Sequence, residues 1–416
     1  MDRFVIEGAK RLKGSVPVNG SKNAALPVLI ATLLTDEPCV IENVPRLRDI
    51  RTTLRLLETL GKRVSMERHR VSIEGGRRLL TRAPYDLVKE MRASVLVAGP
   101  LLARFRKVRV PQPGGCAIGL RPVDIHVRAF QAMGASCENE GGDLVITARR
   151  LQPCRLRLRF PSVGATENVM MAAAAIRGTT VISNAAREPE IEDLADFLCE
   201  LGAGVTGAGT SEVRVEGRDR LHGASHRVIP DRIEAGTFLI ACAAAGGDVT
   251  LRGVEPAHLG AVLAALKKAG VSVTRTDGGL RVVSRGRPRP VSIRTEPHPG
   301  FPTDLQAPWM AFMCVARGAS RICEDIFERR FMHAAELARL GAWVAFEGNR
   351  VTVRGVPALQ GASIMASDIR AGAGLVVAGL AASAKTEVQR VYHIDRGYER
   401  IERKLRRLGA RIRRLG

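Results

Sequence analysis

The residues best suited to chemistry lie in the run Pro113-Gly114-Gly115-Cys116-Ala117-Ile118-Gly119-Leu120-Arg121-Pro122-Val123-Asp124. Glycine and proline are too dense there for a helix or a central strand, so the segment is predicted to be a loop. Gly114, Gly115 and Gly119 permit backbone angles and close ligand approach that a side chain would forbid. Cys116 precedes Arg121 by one short loop, and a thiol near a fixed cation ionises more easily or serves as a proton donor poised near neutral pH. Arg121 offers a planar fork that fits phosphate or carboxylate. A tight surface loop carrying a chance cysteine is the competing reading.

Further charges stand where amphipathic packing gives them no role. Lys22 and Asn23 open an Ala/Leu helix after Gly20 and Ser21. Helix starts collect anions because their N–H groups and dipole face outward. The plainer account makes Ser21 or Asn23 an N-cap and leaves Lys22 solvated. Arg92 follows Tyr85-Asp86-Leu87-Val88-Lys89 on a predicted helix. Asp304 ends a Pro/Gly loop and opens another helix, where capping explains it equally well. Arg330 lies in Glu328-Arg329-Arg330-Phe331, which also fits a surface patch. Asp368 precedes Arg370 at the start of a Gly/Ala-rich helix that it would cap, and Arg396 marks a loop before a helix. These positions recur at corresponding loops of a repeat. Lys22, Arg92, Arg121, Arg330, Arg370 and Arg396 would then gather into a basic funnel for substrates bearing several phosphates or carboxylates.

The elements that must position these side chains form six copies of one unit. A short apolar helix ending in Leu-Gly, or a near variant, places its glycine at Gly61, Gly134, Gly202, Gly270, Gly341 and Gly409, roughly 70 residues apart. Glycine just past the last apolar turn is the expected helix stop. Before each lies an Ala-rich helix and a β-branched strand, and after each a hairpin whose second strand ends near glycine. The sixth unit runs out before its second strand, and Phe4-Val5-Ile6-Glu7-Gly8 supplies the missing piece. Two α/β domains follow: residues 21–229 with three units, and 1–20 with 230–416 holding the other three. Helices this apolar belong inside, with sheets outside, and two such domains leave a cleft for ligands.

With 416 residues and 45% apolar content, the chain is an ordinary soluble α/β protein of two or three domains. No apolar run approaches the roughly 20 residues that span a bilayer. The N-terminus lacks the apolar core of a signal peptide, so a cytoplasmic location is expected. Eight cysteines are scattered without CxxC or Cys/His spacing, so no structural metal is expected. Cys199 and Cys242 are predicted to be buried small hydrophobes. The formal charge of +22 is spread along the chain. Its dense cluster, from Arg403 to Arg414, occupies a predicted terminal helix and strand without the interleaved aromatics that stack on bases. Specific nucleic-acid binding is not expected, and small anionic substrates fit the charge as well.

Gly20-Ser21-Lys22-Asn23-Ala24-Ala25-Leu26-Pro27, Ala83-Pro84-Tyr85-Asp86-Leu87-Val88, the Cys116 run, Pro161-Ser162-Val163-Gly164-Ala165-Thr166, Ala186-Arg187-Glu188-Pro189-Glu190, Pro230-Asp231-Arg232-Ile233-Glu234, Phe301-Pro302-Thr303-Asp304 and Asp395-Arg396-Gly397-Tyr398-Glu399-Arg400 occur in order. In these motifs the chain closely resembles, essentially from end to end, the UDP-N-acetylglucosamine enolpyruvyl transferases. The resemblance implies two inside-out α/β barrel domains, each of three βαβαββ repeats, with an interdomain active-site cleft. It implies transfer of the enolpyruvyl group of phosphoenolpyruvate to the 3′-hydroxyl of UDP-N-acetylglucosamine, with release of phosphate by addition–elimination. That is the first committed step of peptidoglycan synthesis, and it needs no metal or organic cofactor.

By the same resemblance Cys116 is the proton donor, open to alkylation by fosfomycin, and Asp304 takes the hydroxyl proton. Lys22, Arg121 and Arg396 match the phosphate ligands, and Arg330 and Arg370 the carboxylate ligands, with Asn23 beside them. Asn23, Arg92, Arg121, Pro122, Val123, Asp124, Ile125, Ser162, Val163, Gly164, Asp304 and Ile326 match contacts to the nucleotide sugar or the intermediate. The chain departs from the family at Leu120, where a smaller residue is commoner. It also has Arg159-Phe160 where some members carry a lysine near the diphosphate, and its charge is unusually positive. Enolpyruvylshikimate-phosphate synthases share fold and donor but lack the Cys116 loop. RNA 3′-terminal phosphate cyclases need a catalytic histidine motif that is absent here. A non-catalytic paralogue would not need Lys22, Cys116, Asp304 and Arg396 together. Oligomeric state is not legible in the sequence.

Overall fold

All six repeat glycines end a helix in the left-handed region, with φ between 84° at Gly341 and 112° at Gly61. A side chain there would strain the backbone, which is why the repeat marker is glycine. In five repeats the next N–H, from Ala135, Ala203, Val271, Ala342 or Ala410, returns to the carbonyl five residues back and closes a Schellman turn. In the first repeat Lys62 enters the strand Lys62–Glu67 at once.

The computed structural model describes residues 2–8, 10–76, 78–112 and 123–416, excepting the Arg92 side chain. Cys116, Arg121, Pro122 and the loop expected around them lie outside the described residues. The chain forms two compact units, one containing the N-terminal residues through Asn19 and Pro230–Gly416, the other starting at Gly20 and ending at Ile229. Gly20 packs on the second unit so closely that a Cβ would lie 1.7 Å from the Asn43 carbonyl oxygen.

Each repeat builds one small sheet of the same design. A post-glycine hairpin, such as Lys62–Glu67 with Arg70–Gly75, pairs antiparallel to a strand that carries a parallel neighbour on its other side. That parallel neighbour comes from the preceding repeat of the same unit. Ser225–Arg227, after the third repeat, pairs with Cys39–Glu42 of the first and closes the cycle. In one sheet the neighbour shrinks to a single bridge, Arg82 to Arg109. The other unit closes through its first residues. Arg3–Glu7 lies between Lys385–Gln389 and Arg411–Leu415, antiparallel to both, and Leu12–Pro17 runs parallel to Gly247–Arg252.

The alternating burial of strands such as Glu212–Gly217 gives each sheet one wet face and one apolar face. The apolar faces cover helices that are buried almost all round: Lys22–Ala31, Ala98–Phe105 and Val163–Ala174 in one unit. Arg232–Ala245, Gln306–Met313 and Ile369–Ala381 do the same in the other. A helix apolar on every side is an interior helix. One sequence expectation needs correction. Cys199 is exposed, because it falls on the outer face of Pro189–Glu200. Lys404, within the terminal basic cluster, is buried and paired with Glu234 at 2.7 Å. Among the described residues no helix is long and apolar enough to cross a membrane.

Candidate active site

Among the described residues, Lys22, Asn23, Ser162–Gly164, Asp304 and Arg370 lie at or just before the N-terminal ends of interior helices. In the unit containing Pro230–Gly416, Asp304 sits in the 3₁₀ turn Thr303–Leu305 that leads into Gln306–Met313. Its side chain does not cap that helix. Oδ1 accepts from Arg330 Nη2 at 2.7 Å and Oδ2 from Arg370 Nη2 at 2.7 Å. Both arginine side chains are about fully enclosed, 4% and 5% exposed, whereas Asp304 keeps 24%. Two buried guanidinium groups thus meet solvent through one carboxylate, and the surface patch envisaged around Arg330 holds only for Glu328 and Arg329, which are exposed.

Asp368 does cap the Ile369–Ala381 helix, accepting from the backbone N–H groups of Arg370 and Ala371 at 2.9 and 3.0 Å. Burial works to lower the pKa of Arg370, but Asp304, Tyr398 and Asp231 outweigh it and the cation is kept. His333 packs behind Arg330 and is pushed down to about 4, chiefly by burial. It is therefore neutral at pH 7 and adds no third positive charge. Ile326 joins the same cluster through Glu324, whose Oε1 accepts from the Ile326 N–H at 2.9 Å while Oε2 accepts from Thr303 Oγ1 at 2.8 Å. Arg396 ends the 3₁₀ segment Val391–Arg396 and is half-buried. A Cβ on the next residue, Gly397, would lie 2.5 Å from Ile369 Cγ2, so this glycine lets the start of the Ile369–Ala381 helix pack against the backbone beside Arg396.

In the other unit, Ser21 caps Lys22–Ala31 by accepting from the Ala24 N–H at 3.3 Å. Lys22 is not solvated. It is buried, with Nζ 3.3 Å from Asp49 Oδ2, itself buried in the first turn of Arg48–Leu60. Asn23 follows, half-buried. Ser162 caps Val163–Ala174 through the Ala165 N–H at 3.4 Å. The His126 ring stands against Gly164, its Cε1 3.4 Å from where a Cβ would lie, an ordinary contact distance. Asn168 holds that ring. Its Oδ1 accepts from the Gly99 N–H at 2.8 Å and its Nδ2 donates to the Val95 carbonyl at 3.1 Å and to His126 Nδ1 at 3.0 Å. The network places the neutral imidazole proton on Nε2. The Asp124–Ala132 helix is thereby fixed against the start of Val163–Ala174. Val123, Asp124 and Ile125 stand beside Ser162, Val163 and Gly164 there, with Asp124 bound to Arg159 at 2.6 Å. Arg92 contributes backbone to the 3₁₀ segment Arg92–Val97, its side chain lying outside the described residues.

Four participants escaped the sequence reading. Asp49 carries an ordinary helix-start acid signal, and His333 follows Arg330 by three positions. Tyr398 lies in a motif notable for its charges. Glu167 is buried, its carboxyl pushed well up by burial and by Glu190 and Glu188. Chemically, the two groups of residues offer fixed cations, one shared carboxylate and ordered helix N-termini, which is equipment for binding and reshaping oxyanions.

Residues 6–405 match the family model described as EPSP synthase (3-phosphoshikimate 1-carboxyvinyltransferase). A protein of Anaeromyxobacter sp. (strain K) is 55% identical over 420 residues, covering 100% of both chains. One of Elusimicrobium minutum is 53% identical over 414 residues, 99% of this chain and 98% of its own. Both are named UDP-N-acetylglucosamine 1-carboxyvinyltransferase. The crystal structure of the enolpyruvyl transferase NikO from Streptomyces tendae superposes with a TM-score of 0.89 at 25% identity, covering 99% of this chain and 98% of that one.

Proposed function

The chain belongs to the EPSP synthase family and, within it, to the UDP-N-acetylglucosamine 1-carboxyvinyltransferases; on that premise we propose how its residues carry the reaction. It is an enolpyruvyl transferase of peptidoglycan synthesis, acting in the cytoplasm on phosphoenolpyruvate and UDP-N-acetylglucosamine. Arg330 and Arg370 hold the enolpyruvate carboxylate, and Lys22, Arg121 and Arg396 hold its phosphate. Ser162–Gly164, Val123–Ile125, Arg92, Pro122, Asn23 and Ile326 hold the nucleotide sugar.

Asp304 removes the 3′-hydroxyl proton as that oxygen bonds to the substituted enol carbon, and the Cys116 thiol delivers a proton to the methylene carbon. The product of this step is a tetrahedral ketal. Loss of a proton from the new methyl group and departure of phosphate restore the double bond on the sugar. Proton donors, acceptors and fixed cations suffice for every step. The observation that carries the reading is Asp304 shared between two enclosed arginines: a base and an anion site in one contact.

The test is phosphate release from phosphoenolpyruvate by the purified protein, with and without UDP-N-acetylglucosamine, beside Cys116→Ala. Release that requires the nucleotide sugar and vanishes in the variant is expected. Release with shikimate 3-phosphate instead would reassign the acceptor, and no release with either would defeat the transferase reading.

A further inference from the structure

The strand Ala319–Glu324 ends on a carboxylate that faces the apolar core. Ser320, Ile322 and Glu324 share its inner face, and Glu324 is only 3% exposed. Glu42, Ser183, Arg252 and Gln389 end the corresponding strands of four other sheets, and none of them is buried. A buried carboxyl group is costly unless its oxygens find donors, so this one departure from the repeat calls for a reason.

Three donors meet it. Oε1 accepts from the backbone N–H groups of Ile326 and Phe327 at 2.9 and 3.1 Å, and Oε2 accepts from the Thr303 hydroxyl at 2.8 Å. The first two bonds shape the turn that follows the strand. The third crosses 21 residues to the 3₁₀ turn that carries Asp304. The neighbouring strand fixes the platform beneath. Glu324 pairs with Thr295 in the sheet, and the Asp325 N–H donates to Thr295 Oγ1 at 3.2 Å. Thr295 also bridges to Phe301, two residues before Thr303. One buried side chain therefore ties together the two short turns that hold Asp304 and Ile326.

We propose that Glu324 is a positioning residue for the transfer step, holding the Asp304 turn in register with the Ile326 turn so that the group that takes the hydroxyl proton and the residue that seats the sugar keep one spacing. This rests on the assignment of Asp304 as the base and Ile326 as a contact to the nucleotide sugar. Glu324 touches no substrate itself. Thr303→Val keeps the side-chain shape and removes only the bond to Glu324, and Thr303→Ser retains that bond. Glu324→Ala removes all three.

Steady-state kinetics, calorimetric titration of UDP-N-acetylglucosamine and amide hydrogen exchange decide the matter, all read well below the melting temperature. Thr303→Val is expected to melt earlier, because Glu324 Oε2 loses its donor. Its kcat should fall about tenfold, within what a small misplacement of a reacting group costs, while the KM for phosphoenolpyruvate stays put. Thr303→Ser should match the parent. Glu324→Ala should lower kcat further and also raise KM and Kd for the nucleotide sugar, because the Ile326 turn is freed as well. Exchange should quicken at Leu305, whose N–H closes the Asp304 turn on the Pro302 carbonyl, in Thr303→Val, and at Ile326 and Phe327 in Glu324→Ala. Early melting with parental kcat in Thr303→Val would mark a purely structural bond and overturns the proposal. So does a loss that Thr303→Ser fails to restore, or one in which both KM values shift along with kcat. Should Glu324→Ala not fold, the two Thr303 variants carry the comparison. If the parent protein shows no turnover, the transferase reading falls on its own, and the exchange rates still decide whether Glu324 ties the two turns.

Discussion

The two ends of the interior helices handle positive charge in opposite ways. At the C-terminal ends, cations sit where the helix dipole wants them. Arg104 Nη1 donates to the Leu33 carbonyl at 2.7 Å, and Lys62 donates to that of Thr35. Arg287 reaches the carbonyls of Val315, Ala316 and Val356 at 3.0, 2.6 and 3.0 Å. Apart from that of Val356, which follows the strand Arg350–Arg354, these are carbonyls left open past a helix end. At the N-terminal ends, Lys22 and Arg370 occupy the first or second helical position, where the dipole is itself positive. Placement there works against stability, and each is offset by a carboxylate, Asp49 or Asp304. Cations at the negative pole satisfy open carbonyls, whereas those at the positive pole are each paired with a carboxylate.

The largest expected break in that contrast comes from Arg370→Met. Asp304 keeps Arg330, so melting temperature should hold or rise while turnover falls about 10²–10³-fold, the range of one lost preorganised donor. A variant that melts early and turns over normally would erase the distinction between the poles. Arg287→Met should show the reverse: urea unfolding about 3 kcal/mol easier, for three acceptors left unmade, with unchanged turnover at low temperature. The smallest effect belongs to Lys62, which burial pulls down to about 8 from 10.5. The folded chain releases this proton before the unfolded one does, so stability should rise with pH between about 8 and about 10.5. Comparison with Lys62→Met isolates the slope, and an identical pH profile in both proteins would refute the buried placement.

Local rules in the sequence account for much of this architecture. Helix stops at glycine, hairpins after them and all-round apolar helices need only neighbours in the chain. The unfinished sixth repeat even pointed to Phe4–Gly8. The site was legible as residue types and not as pairings. Arg330 and Arg370 meet Asp304 across 26 and 66 residues, and nothing local distinguishes that carboxylate from the helix cap it resembles. Asp368 has the same local signal and is a cap. The plainer account of Lys22 as a solvated charge could not be dismissed locally, because Asp49, 27 residues on, stands where an acid favours any helix start. Burial of Cys199 is not legible locally, because its helix is amphipathic and one position separates buried Leu198 on the inner face from Cys199 on the outer.

The pairing of Arg3 with Leu415 sets an order of events at the ribosome. The unit ending at Ile229 holds all its strands in one continuous stretch and can close its cycle of sheets while the rest is still being made. The other unit's strand Arg3–Glu7 is made long before its two neighbours, Lys385–Gln389 and Arg411–Leu415, so its pairing has a high contact order. Because that pairing brings Arg3 beside Leu415, a circular permutant that links these two strands and begins at Pro230 would make both units contiguous. It should refold faster than the parent.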